Sequence, residues 1–475
     1  MNLITQLDQQ FILPLVGYRG IDYEGLSVPD EFAALSAQLW QPNIAEGEVQ
    51  SRRVGIVFSG GPAPGGHDVL TGILEWLRPN DQLVGFIGGF GGLLNGQHFL
   101  VDRQDKEFLR GSAGFDYLGT DRTKITTEDQ LDQVAAVLRD VDLDALIVVG
   151  GDDSNTNAAY LARAIKDKCQ IIGVPKTIDG DLQWYPFLAV TFGFHSASQH
   201  YASLVNALQV DACATKKYIH LVKLMGRSAS HVALEVAHQV EPHGCLLAEE
   251  VVSQGWGLAD VIDYFVSVMK VRVAAKKSYG VLVFPEGLAE VIPEMKAFLN
   301  GDLGPLSDYL KSLHCDVGFQ EAVAEDAHGN KNLSLMPFEV ILKQCLSARL
   351  QDEGITIPIL SHFFGYEGRS NAPTEFDSAY SRLLGKTAYE LVLAGTTGVM
   401  ATCFFQDDSV QPCGLPLGAL LTFDEAKGRW VIKKTMVDLE SRDFHDYTEH
   451  KDQWVMQDPG FPRKPRLETP RRFVI

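Results

Sequence analysis

The stretch GGDDSNTNA, residues 150–158, closes an apolar run, LDALIVVGG, with paired glycines followed at once by Asp152 and Asp153. Glycines at such a place clear room for phosphate oxygens. Two carboxylates beside them suit a hard cation, Mg2+, which takes carboxylate and phosphate oxygens together. Capping of the next helix by Ser154 and Asn155 accounts for one aspartate better than for two. Upstream, SGGPAPGGH (59–67) stands between a predicted strand and a predicted helix. Its glycines let backbone N–H groups approach an anion, and a helix start adds partial positive charge. It is neither a P-loop nor a GxGxxG, so an ordinary tight turn is the alternative. Downstream, PKTIDGDL (175–182) crowds Lys176, Asp179 and Asp181 around Thr177 at a strand end. Turn chemistry covers the Pro, Asp and Gly. A general base beside a phosphate-neutralising lysine covers the charges.

Three later motifs each carry one charge just past a predicted strand: Arg227 in KLMGRSASH (223–231), Glu286 in FPEG (284–287) and Arg369 in FGYEGRSNAP (364–373). With Arg122 of YLGTDRTK they bring several charges to one edge, and phosphate clamps use arginine for its bidentate contacts.

Such motifs need strand ends to hold them. RRVGIVFSGG (52–61), QLVGFIGG (82–89), DALIVVGG (144–151) and CQIIGVP (169–175) read as buried strands, with helices at 65–79, 128–140 and 154–168 between them. A second set, KYIHLVKLMG (217–226), GCLLAEEVV (244–252), SYGVLVFPEG (278–287) and ITIPILSHFFG (355–365), alternates with helices at about 195–210, 227–240 and 257–277. This βαβ alternation predicts an α/β fold of mainly parallel sheets with helices on both faces, in two units joined near residue 210. Ligands of open parallel sheets collect at the carboxyl ends of the strands. The expected layout is an N-terminal extension (1–50), a larger α/β domain with the donor and metal site (51–210) and a smaller one with the sugar-phosphate site (211–400). The smaller domain carries a mostly helical insertion at about 288–350, and residues 401–475 form a C-terminal segment with an extended, basic, proline-rich tail.

Composition narrows the class. A 475-residue chain with 45% hydrophobic residues has room for two or three domains. A formal charge of −20 excludes a general nucleic-acid or membrane-surface binder, so positive charge for anionic ligands must be gathered locally. The seven cysteines form no CxxC pair and read as reduced, mostly buried thiols. The N-terminus lacks a lysine or arginine before Arg19, a poor signal peptide, and no run reaches a membrane span of about 20 apolar residues. A cytoplasmic protein is the expectation.

SGGPAPGGH, GGDDSNTNA, PKTIDGDL, MGRSASH, PEG and GYEGRS together resemble the phosphofructokinases in order and spacing, and most closely the pyrophosphate-dependent branch in its long form. The resemblance spans roughly residues 52–400 and implies two Rossmann-like domains with the active site in the cleft between them. It implies reversible, Mg2+-dependent phosphoryl transfer from pyrophosphate to the 1-hydroxyl of fructose 6-phosphate, giving fructose 1,6-bisphosphate and phosphate, a glycolytic step. By the same resemblance Gly61 lies against the donor phosphates, Asp152 holds the metal, and Asp179 is the base, with Thr177, Ile178 and Asp181 around it. Arg122 and Arg227 neutralise the moving group. Met225, Gly226 and Glu286 hold the sugar, and Tyr366, Glu367, Gly368 and Arg369 form the 6-phosphate segment. Lys217 and Tyr218 match positions that reach the neighbouring subunit's sugar phosphate, which implies a homodimer or higher homo-oligomer.

ATP-using relatives carry glycine at the positions of Asp153 and Lys176. The resemblance therefore implies that Asp153 repels a nucleotide's α-phosphate while Lys176, acting with it as a charge-balanced unit, compensates pyrophosphate. The alternatives are an ATP-dependent phosphofructokinase and a non-catalytic regulatory subunit; the latter is expected to have lost Asp179 or a phosphate arginine. The sequence departs from the family at His195, commonly acidic, and at Asp68, commonly Asn.

Overall fold

The structure is a computed structural model that describes residues 3–458, apart from 13–16, 22, 24–25, 33–34, 36–37, 44–49, 166–167, 315–332 and 407–408. The basic tail, 459–475, lies outside the described residues. Its strands are β1 (Gly17–Ile21), β2 (Leu39–Asn43), β3 (Arg53–Phe58), β4 (Gln82–Phe86), β5 (His98–Leu100), β6 (Ala145–Gly150), β7 (Gln170–Thr177) and β8 (Phe192–Gly193). Then follow β9 (Ile219–Leu224), β10 (Gly244–Cys245), β11 (Gly280–Pro285), β12 (Ile359–Phe364), β13 (Val399–Gln406), β14 (Ser409–Pro416), β15 (Leu421–Asp424) and β16 (Arg429–Ile432).

A large sheet runs β1-β2-β14-β13-β7-β6-β3-β4-β5, with β8 beside β7. Its centre, from β4 through β3, β6 and β7 to β13, is parallel, and its outer strands pair antiparallel. All six residues of β6 are buried, as expected of a strand covered on both faces by helices. The smaller sheet, β10-β11-β9-β12, is parallel throughout.

The structure moves two of the expected boundaries. Residues 244–252 are not one strand: β10 ends at Cys245, and Ala248–Gln254 is a helix. The Glu250 carboxylate accepts a hydrogen bond from the Leu247 N–H (3.0 Å), a helix-start bond that no apolar run announces. The end of the chain is not separate either. Helix Glu375–Leu393 packs on helix Gly66–Trp76, and β13 pairs with β7, so the chain returns to the larger unit before residue 400. Strands β1 and β2 of the N-terminal extension add to the same sheet through β14. The described part of the insertion is helical, at Leu288–Val291, Pro293–Leu299, Gly304–Ser312 and Phe338–Asp352, and packs on the small sheet.

Two helices meet almost backbone to backbone. A Cβ on Gly385 would stand 2.1 Å from the Val69 carbonyl oxygen, and one on Gly72 would stand 2.1 Å from that of Arg382. The core on this face runs on into Val222, Leu224, Val281 and Val283 of the small sheet, so the two units share packing. No helix among the described residues is long and apolar enough to cross a membrane. The six described cysteines are free thiols. Gly385→Ala is expected to lower the unfolding free energy by about 1–3 kcal/mol, as overpacking against rigid backbone does. Urea unfolding of the two proteins is the check.

Candidate active site

Both sheets turn their carboxyl ends toward one cleft. From the large sheet come the turns after β3 (Ser59–Pro62), β6 (Gly151–Ser154) and β7 (Ile178, Asp179, Asp181), with Arg122–Lys124 alongside. From the small sheet come Arg227 after β9, Glu286 after β11 and Arg369 after β12.

The phosphate-type loop is held from several sides. The Ser59 N–H donates to the Val149 carbonyl and the Gly60 N–H to that of Asp121 (2.9 and 2.8 Å). The Ser154 hydroxyl donates to that of Ser59 (2.9 Å), joining the loop to the start of helix Asp152–Ile165. Gly60 has φ +86°, a conformation that favours glycine. Gly61 leaves room for Arg369, whose Nη1 would lie 2.5 Å from a Cβ there.

Lys176 is 7% exposed, and its Nζ donates to the Gly61 carbonyl (2.6 Å). Burial, then the Arg369 guanidinium, lowers its pKa to about 8, against the pull of Asp179 and Asp152. The Thr177 hydroxyl accepts from the Asp179 N–H (3.0 Å) and donates to the Asp181 carboxylate (3.4 Å). Asp179 Oδ1 is buried with no hydrogen-bond partner among the described residues. Asp181 is 4% exposed; burial, then Asp179 and Asp152, pushes its pKa well above the carboxylate range. Glu286 is raised too, by burial first and then Asp179, and accepts from Ser334 Oγ (2.9 Å) and the Gly226 N–H (3.4 Å).

The cleft thus assembles Gly61, Arg122, Asp152, Asp153, Lys176, Thr177, Ile178, Asp179, Asp181, Arg227, Glu286 and Arg369. Met225, Gly226, Tyr366, Glu367 and Gly368 are not among the residues that line it. Met225 is fully buried, and Tyr366 is half exposed. Glu367 accepts from the Gly365 N–H (3.0 Å), and Gly368 packs against Tyr201, so both shape the turn that carries Arg369. Lys217 is exposed near the start of β9, eight residues before Met225, or roughly 25 Å along an extended chain. Neither it nor Tyr218 lines this chain's own cleft.

One expected pair is corrected. Asp153 pairs with Lys124 (3.5 Å), while Lys176 turns to Gly61 and toward Asp179 and Asp152. The two residues start from different strand ends, and each takes the nearest partner. Arg227 is engaged as well, with Nε and Nη2 on Glu290 (3.0 and 2.7 Å). His195 and Asp68 are buried outside the cleft; His195 Nδ1 meets Thr374 Oγ1 (2.8 Å), and Asp68 accepts from the Gly111 N–H (3.0 Å).

Sequence reasoning missed Lys124, Ser334 and Lys434. Lys124 stands two residues after Arg122 in a motif already singled out, whereas Ser334 sits in the insertion. Lys434 follows β16 with no motif around it; its Nζ lies 3.5 Å from Asp152 and 3.8 Å from Asp181. Burial opposes its charge, but Asp152, Asp181 and Asp179 hold its pKa above the ordinary lysine value.

The sequence profile named Phosphofructokinase matches residues 53–392. The chain belongs to that family. A relative from Treponema pallidum (strain Nichols), named pyrophosphate–fructose 6-phosphate 1-phosphotransferase, is 36% identical, covering 86% of this chain and 79% of its own. The beta subunit of the same-named enzyme from Solanum tuberosum is 34% identical over 90% of this chain and 83% of its own. A solved structure described as a pyrophosphate-dependent phosphofructokinase from Nitrosospira multiformis shares the fold, with TM-score 0.60 and 16% identity over 88% of this chain and 96% of that one.

The cleft holds a lysine that titrates within reach of neutral pH. In the free protein Lys176 is charged at pH 7 and loses its proton as pH rises through about 8. The kcat/KM for pyrophosphate, which reports free-enzyme groups, is expected to fall through that pH. In Lys176→Met the rate is expected to be low and this descending limb to be gone.

Proposed function

We infer that this chain catalyses reversible phosphoryl transfer from pyrophosphate to the 1-hydroxyl of fructose 6-phosphate, giving fructose 1,6-bisphosphate and phosphate. The observation that carries the reading is the meeting of one half-buried carboxylate, Asp179, whose Oδ1 has no hydrogen-bond partner among the described residues, with the cations Arg122, Lys176, Arg227 and Arg369 in a single cleft. Phosphoryl transfer asks mostly for positioning and charge stabilisation, with one group to orient and deprotonate the nucleophile.

Asp179 takes the proton of the sugar hydroxyl. Its N–H bond to Thr177, and that residue's bond to Asp181, hold the turn in which it sits. The Gly61 loop and Lys176 receive the donor, and Lys176 stabilises the departing phosphate. Arg122 and Arg227 face the moving group; Arg227 exchanges Glu290 for it. Glu286 orients the sugar from the small domain. Arg369 holds the 6-phosphate from a turn shaped by Tyr366, Glu367 and Gly368, and its guanidinium also faces Gly61. Asp153, held by Lys124, puts a carboxylate where a nucleotide's α-phosphate would lie, which disfavours ATP.

The donor atoms suit a hard divalent cation, Mg2+: the Asp152 and Asp181 carboxylates face one ammonium, that of Lys434, and Asp179 Oδ1 is unpartnered. Asp152 would hold it. When bound, the ion supplies neutralisation of the phosphoryl oxygens.

Parallel assays with Mg2+, fructose 6-phosphate and either pyrophosphate or ATP test the reading; turnover with ATP in preference to pyrophosphate overturns it. Asp179→Asn is expected to cost about 10²–10⁴ in kcat, the worth of a general base, while fructose 6-phosphate binding persists. Retention of about a tenth of wild-type kcat is too much for a lost base and would unseat Asp179 from that role.

A homodimer or higher homo-oligomer with shared sites accounts for Lys217 and Tyr218 lying off their own cleft. Hybrids of Asp179→Asn and Lys217→Ala protomers are expected to regain activity that neither parent has, measured after co-expression. No recovery in verified hybrids means that each site is built from one chain.

A further inference from the structure

The segment after β16 crosses the cleft and is tied to both units. The Lys433 N–H donates to the Leu420 carbonyl (3.1 Å), and the Thr435 N–H donates to the carbonyl of Asp181 (2.7 Å). On the other side, His231 Nε2 donates to the Thr435 carbonyl (2.9 Å), and the Val437 N–H donates to Glu249 (3.0 Å). Lys434 stands in the middle of this strap. Its ammonium faces the Asp152 and Asp181 carboxylates at 3.5 and 3.8 Å and donates to the hydroxyl of Ser228 (2.8 Å), the residue after Arg227.

We propose that Lys434 is a positioning residue of the transfer site: a built-in cation that holds the Asp152 and Asp181 carboxylates together and that a divalent metal must displace to bind them. The proposal rests on the metal reading of Asp152 given above. Two facing carboxylates in a cleft repel unless a cation stands between them, and Lys434 supplies one from the opposite end of the chain. Its position is one that can be given up. The side chain is 41% exposed, and both contacts to the carboxylates are longer than a direct hydrogen bond. The contact to Asp152, which is itself partly exposed, is open to solvent screening and held weakly. The bond to Ser228 is the shortest of the three, so the ammonium can give up both carboxylates and stay on that hydroxyl without moving the strap. The charge then remains beside Arg227, on the phosphate side of the cleft.

The test is binding of Mn2+ alone, followed by electron paramagnetic resonance of the free ion, to the full-length wild type, Lys434→Met and Lys433→Met. Lys433 carries the same charge one residue away and is exposed. Removing a competing cation at about 4 Å is expected to tighten Mn2+ binding about tenfold in Lys434→Met, whereas Lys433→Met, its charge screened, changes it about twofold or less. Lys434→Gln repeats the measurement should the methionine variant be poorly folded, and Lys434→Arg, which keeps the charge, is expected to bind Mn2+ as the wild type does. Equal or weaker binding in the neutral variants overturns the proposal, as does equal tightening in Lys433→Met. Pyrophosphate turnover of the wild type in the same preparations separates the two readings. If turnover is present and Mn2+ affinities are unchanged, only the role of Lys434 fails. If there is no turnover from pyrophosphate, the functional reading itself fails.

Discussion

A lysine ammonium buried at the end of the central strand constrains everything around it. Lys176 has lost most of its water and has one direct acceptor, the Gly61 carbonyl. A buried cation must be compensated or it gives up its proton. The carboxylates of Asp179 and Asp152 supply part of that compensation, which leaves the ammonium near the edge of titration. A position so costly to charge is one that a further anion in the cleft would stabilise.

The cleft as a whole follows the same rule. Among the described residues, six cations (Arg122, Lys124, Lys176, Arg227, Arg369 and Lys434) face five carboxylates (Asp152, Asp153, Asp179, Asp181 and Glu286). This near balance lets a chain of formal charge −20 receive two phosphorylated substrates at one place. Such a set needs a rigid frame, because charges a few ångströms apart change partners with small displacements. The large sheet, the shared core and the glycine contact between helices Gly66–Trp76 and Glu375–Leu393 supply it.

Much of this was legible in the chain. The buried parallel strands, the turns after β3, β6, β7, β9 and β11 and the one-sided gathering of charge could be read from apolar runs that end in Gly, Asp, Arg or Glu. Such reading works where a local rule applies, and strand ends of parallel sheets are where the rule is strongest. It failed at residues 244–252, where a buried turn and a buried helix start share the composition of a strand. It failed again at the chain's end, where nothing local tells that Val399–Gln406 pairs with a strand more than two hundred residues earlier.

Which residue types stand at each strand end is a property of the chain, because glycine, aspartate and lysine there follow from chain-local geometry. Which of them pair is a property of the folded molecule alone. Asp153 takes Lys124 rather than Lys176, and Arg369 crosses to the Gly61 loop. Lys434 arrives from the far end of the chain to stand between Asp152 and Asp181. Ion pairing depends on distance in space and on burial, and neither is written in the spacing of residues along the chain.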